Sequence, residues 1–63
     1  MTQKELLYVE DAIEHEKSII KICNELIKML EDEELITFLE DEITKHTNTK
    51  EKLTNLLEVK ANG

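Results

Sequence analysis

Apolar residues recur at alternating steps of three and four in both halves of this chain, but the two halves are out of phase. Leu6, Val9, Ile13, Glu16, Ile20, Cys23, Ile27 and Leu30 form one such seam, and Ile36, Leu39, Ile43, His46, Lys50, Leu53 and Leu57 form the other. This spacing places each set on one face of an α-helix. Three or four residues beyond Leu30 stand Glu33 and Glu34, so a straight helix through both halves would turn its apolar face away from any partner. The seams therefore predict two helices and a reversal between them. One long bent helix is the alternative.

Nothing in the sequence opposes helix. Proline is absent and the only glycine is Gly63. Thr2-Gln3-Lys4-Glu5 has the capping-box pattern, in which the threonine hydroxyl and the glutamate carboxylate each accept from the other's backbone N–H. The first helix is expected over about 3–31. In the acidic run Glu31-Asp32-Glu33-Glu34, Asp32 can cap a new helix and the two glutamates behind it favour the positive end of its dipole. The turn is expected at about 31–33 and the second helix at about 33–59, although the usual glycine after the first helix is missing. Ile19, Leu26 and Met29 widen the first seam beyond the narrow stripe of a two-stranded coiled coil.

A chain of 63 residues buries only about 60% of the surface it exposes when unfolded, and so has a marginal core. With one cysteine, Cys23, and no Cys/His cluster at zinc-finger spacing, neither a disulfide nor a structural zinc can supplement it. Association is the remaining route. The predicted fold class is all-α: an antiparallel two-helix hairpin, residues 1–63, that pairs with a second copy as a homodimeric four-helix bundle.

Fifteen acidic against eight basic residues give a net charge of −7, which repels phosphate backbones and anionic lipid. Nucleic acid and membrane are thereby disfavoured as partners, and two aromatics, Tyr8 and Phe38, offer no stacking platform for bases or sugars. No apolar run approaches the ~20 residues of a membrane span, and the polar start lacks the hydrophobic region of a signal peptide. A soluble, cytoplasmic protein is the expectation, with an unpaired thiol compatible with a reducing compartment.

Folding the halves about Asp32 sets residues whose numbers add to about 65 at one height. Ile27 then lies beside Leu39, Cys23 beside Ile43 and Ile13 beside Leu53. The polar stretch Glu14 to Ser18 meets Thr44 to Lys52, which contains no apolar residue. The resulting belt has Glu16, His46 and Lys50 on the seams, with Glu42, His15 and Thr49 on the flanks.

Two copies of Glu16, Glu42 and His46 would supply the four carboxylates and two imidazoles of a di-iron bundle site. The spacing departs from Glu-x-x-His, because Ile43 stands three before His46 and Ala12 three before His15. The preferred reading is a buried polar layer in which Glu16 pairs with Lys50 and His46 donates to a carboxylate, fixing register and partner. Iron or manganese at Glu16, Glu42 and His46 is the alternative, and a pH switch at His15 and His46 a third reading. Cys23, between Ile20 and Ile27, reads as an inert small hydrophobe. The acidic run lacks the glycine and ligand spacing of a calcium loop and reads as a solvated cap. Tyr8 and Phe38 read as packing at the bundle ends. No nucleophile elbow, phosphate loop or Cys-x-x-Cys is present, and no enzymatic activity is expected.

Leu6-Leu7 followed by Glu10-Asp11-Ala12 and Glu14-His15-Glu16-Lys17, then Asp32-Glu33-Glu34-Leu35 opening a helix that carries Glu42 and His46, resembles one helical hairpin of the Coat F spore-coat family and of small ferritin-like bundle proteins in spore-forming bacteria. The resemblance covers roughly residues 5–57. It implies a ferritin-like four-helix arrangement built from two hairpins, a coat or sporulation-associated role, and at best a degenerate metal site. The family's glycine and aromatic signature after the second helix has no counterpart in Val59-Lys60-Ala61-Asn62-Gly63.

Overall fold

A computed structural model describes residues 1–62, with side chains through Lys60. Two helices, α1 (Gln3–Ile27) and α2 (Glu33–Asn62), pack side by side along their length. The hairpin is a rod of 46 × 15 × 11 Å. The bent single helix is excluded.

Both predicted starts are capped as the sequence requires. At α1, the Glu5 backbone N–H donates to Thr2 Oγ1 at 3.0 Å and the Thr2 N–H donates to Glu5 Oε1 at 2.7 Å. At α2, Asp32 Oδ1 accepts from the N–H groups of Glu34 (2.9 Å) and Leu35 (3.1 Å). Each cap satisfies two donors that helix geometry leaves without an internal partner.

The ends differ from expectation. α1 stops at Ile27 rather than near residue 31, because the capping residue of α2 must lie outside helical conformation and the chain needs several residues to reverse. The last turn tightens, with Met29 N–H donating to the Leu26 carbonyl (2.9 Å) and Leu30 N–H to the Ile27 carbonyl (3.3 Å). This closure replaces the missing glycine, since no described residue takes a positive φ. α2 runs on past residue 59 to Asn62, there being no breaker before Gly63.

The two seams are the inner faces. Ile13 and Cys23 are buried, and every other seam residue is half-buried. Cys23 is thus a core side chain, as its position between Ile20 and Ile27 predicts. In the polar middle of α2 the hydroxyls of Thr44, Thr49 and Thr54 fold back on the helix and donate to the carbonyls of Glu40, Lys45 and Lys50, one turn back, at 2.8 to 3.2 Å. Among the described residues no helix is long and apolar enough to cross a membrane.

Candidate functional site

Glu16 and His46 are brought to one level by the antiparallel register, each at the polar gap of its seam. His46 Nδ1 contacts Glu16 Oε2 across the hairpin, and Nε2 lies 3.5 Å from Glu42 Oε2, one turn back on the same helix. Each ring nitrogen therefore faces a carboxylate. Side-chain exposures of 17% for Glu16 and 28% for His46 place the contact partly out of water, where a hydrogen bond is stronger than at the surface. Glu42 also has Lys45 Nζ at 3.7 Å.

The expected pairing of Glu16 with Lys50 is not formed. Glu16 is taken by His46, one turn away along α2, and Lys50 enters no ion pair among the described residues. Lys50 instead lines two shallow grooves, beside Lys17 in both and beside Glu14 and Glu51 in one. A lysine on a half-buried seam can carry its ammonium to water along its aliphatic stem, whereas the short imidazole stays where its ring is placed. His15 and Thr49, the flanking belt residues, are exposed.

For a metal, one hairpin falls short. Nδ1 of His46 is engaged by Glu16, which leaves Nε2 and Glu42 as adjacent donors, and no group of three or more His, Cys, Asp or Glu side chains is arranged to hold an ion among the described residues. The Glu16–His46 contact has the form of a carboxylate that orients a histidine ligand, so a complete set would need donors from a second chain.

The sequence reading missed a second stripe, one residue before each seam position. On α1 it runs Tyr8, Ala12, His15, Ile19, Ile22, Leu26 and Met29, again at steps of four and three. On α2 it runs Leu35, Phe38, Glu42, Lys45, Thr49, Lys52, Leu56 and Val59. In an antiparallel pair, residues just before the seam positions of both helices lie on the same side of the hairpin. Tyr8, Ile22, Leu26, Met29, Leu35, Phe38, Leu56 and Val59 are 40% to 72% exposed. The one-residue offset was the available signal, hidden because Ile19, Leu26 and Met29 can be read as a broadening of the first seam. Tyr8 and Phe38, expected to pack at bundle ends, are uncovered in the single hairpin. The opposite side carries charge, with Glu10, Glu14, Lys17, Lys21 and Lys28 lining its grooves.

No protein-family model, curated protein or solved structure gives a significant match to this chain, and so nothing in these comparisons links it to Coat F or ferritin-like proteins.

Proposed function

We propose that the chain is a non-enzymatic interaction protein whose working form is a homodimeric four-helix bundle, closed by the outer stripes of two hairpins. The observation that carries this reading is the imbalance between a two-residue buried core, Ile13 and Cys23, and the eight large apolar side chains left exposed along one side. Large apolar side chains exposed in that number along one side are covered in a stable soluble protein. The rod's 46 × 15 Å outline gives a footprint of about 700 Å² per copy, close to the ~800 Å² per partner of an ordinary specific interface. Symmetric pairing is the commonest way for a surface to cover itself. A spore-coat or sporulation-associated setting is the part of the proposal that rests on the resemblance to Coat F hairpins.

Light scattering on the purified chain tests the reading, together with Ile22→Glu on the outer stripe and Lys21→Glu on the charged side. The expected result is two chains for wild type and Lys21→Glu, and loss of association for Ile22→Glu. A folded, monomeric wild type would overturn it.

One observation favours a second reading, an iron or manganese carboxylate protein: Glu42 and His46 Nε2 are adjacent, with Glu16 holding the ring from behind. Two copies would supply two Glu42 carboxylates and two imidazoles, with a Glu16 behind each ring. Metal analysis of fresh protein and titration of wild type against His46→Ala separate the readings, and identical titrations would sink the metal site.

A further inference from the structure

Resting on the dimer just proposed, we infer that its two hairpins lie head to tail, the two-fold axis crossing the helices at the level of Lys17 and Thr47, so that α1 packs on α1 and α2 on α2. The outer stripes of the two helices differ in their middle thirds, and that difference decides the orientation. On α1 the middle is Ala12, His15, Ile19 and Ile22, apolar but for one imidazole; on α2 it is Glu42, Lys45, Thr49 and Lys52, polar throughout.

Two orientations stack one hairpin face on another with two-fold symmetry. With the turns at the same end, α1 covers the partner's α2 at equal heights, and Ile22 and Ile19 sit over Glu42 and Lys45. The Glu42–Lys45 pair then presses on isoleucine and loses its water, which burial penalises. The turns Glu31-Asp32-Glu33-Glu34 of both copies also share one end, placing eight carboxylates together.

Reversal removes both conflicts. Lys17 and Thr47 stand at one height, consistent with the groove that joins Glu14 and Lys17 to Lys50 and Glu51. Rotation about that level places Tyr8 over Leu26 and Ala12 over Ile22 on the α1 side. On the α2 side it places Leu35 over Val59, Phe38 over Leu56, and Glu42 over Lys52. Apolar meets apolar at these four levels, Glu42 meets a lysine, His15 over Ile19 and Lys45 over Thr49 flank the axis, and the acidic turns lie at opposite ends. The stripes are thus self-complementary in charge as well as hydropathy.

Spin labels at Glu31→Cys, in a Cys23→Ala background, read the orientation directly, because Glu31 lies in the exposed turn and off both stripes. Double electron–electron resonance on the dimer should give a separation of about 40 Å, from 1.5 Å of rise per residue between the turn and the axis. Hairpins with their turns together would bring the labels within about 20 Å, given helix spacings of 8–10 Å. Light scattering on wild type and labelled protein accompanies the measurement. A dimer with the short distance overturns the head-to-tail arrangement and leaves the dimer standing; a single-chain mass for wild type overturns both.

Discussion

Glu16 on α1 and His46 on α2 form the only side-chain hydrogen bond that joins the two helices among the described residues. Every other side-chain bond there is local, spanning four residues or fewer. One contact therefore carries the polar specificity of the hairpin's register, while the apolar seams supply most of its burial.

His46→Ala should destabilise the protein by about 1–3 kcal/mol, the cost of leaving a partly buried carboxylate without its donor. Glu16→Ala should cost a similar amount, and the double variant less than the two together, because the second substitution removes the group the first left unpaired. Urea denaturation of the four proteins measures the coupling. Strict additivity would show that the contact contributes nothing.

Asp32→Ala should cost about 1 kcal/mol, since it removes the acceptor for two backbone N–H groups at the start of α2. Asp32→Asn, which keeps a capping oxygen, should recover most of the loss. Denaturation midpoints of the three proteins check the order.

Glu5 carries a pH dependence. The Thr2 backbone N–H, and then its hydroxyl, hold the Glu5 carboxyl below its ordinary value of about 4.5. A carboxyl lowered in the folded state binds fewer protons there than when unfolded, so its contribution is fully present above the ordinary value and is lost as pH falls from there through the lowered one. Amide protection at the start of α1, taken relative to the intrinsic exchange rate at each pH, should fall across that window in wild type. In Glu5→Gln, whose amide oxygen still caps but does not titrate, the local change should be absent.

Exhaustive chelation should leave the thermal midpoint unchanged under the polar-layer reading, because the Glu16–His46 contact needs no ion. Under the metal reading the midpoint should fall and recover on adding iron or manganese, and His46→Ala should lack the recovery. Thermal scans with and without chelator decide between them.

The thiol of Cys23 should react with an aromatic disulfide reagent only as the protein opens, given its 7% exposure in the core. Its labelling rate should rise in His46→Ala about tenfold for each ~1.4 kcal/mol of stability lost, which a stopped assay at several denaturant concentrations can follow.

Much of this architecture is local in origin, and so was legible in sequence. A capping box needs residues three apart, an inner face needs steps of three and four, and an acidic cap needs its carboxylate just ahead of two backbone donors; Thr2 with Glu5, the two seams, and Asp32 with Glu34 and Leu35 all satisfy such short-range rules. The antiparallel hairpin followed from a short connection between mismatched seams. Tertiary structure decided what depends on reach across the groove. His46 and Lys50 share the seam of α2 and differ by one turn, so spacing made either eligible for Glu16, and only the packed helices select the short imidazole while Lys50 turns to the groove. Packing also divided the broad apolar stripe of α1 in two, because a single neighbouring helix covers only a narrow strip: Ile13 and Cys23 went inward, while Tyr8, Ile22 and Met29 stayed in solvent.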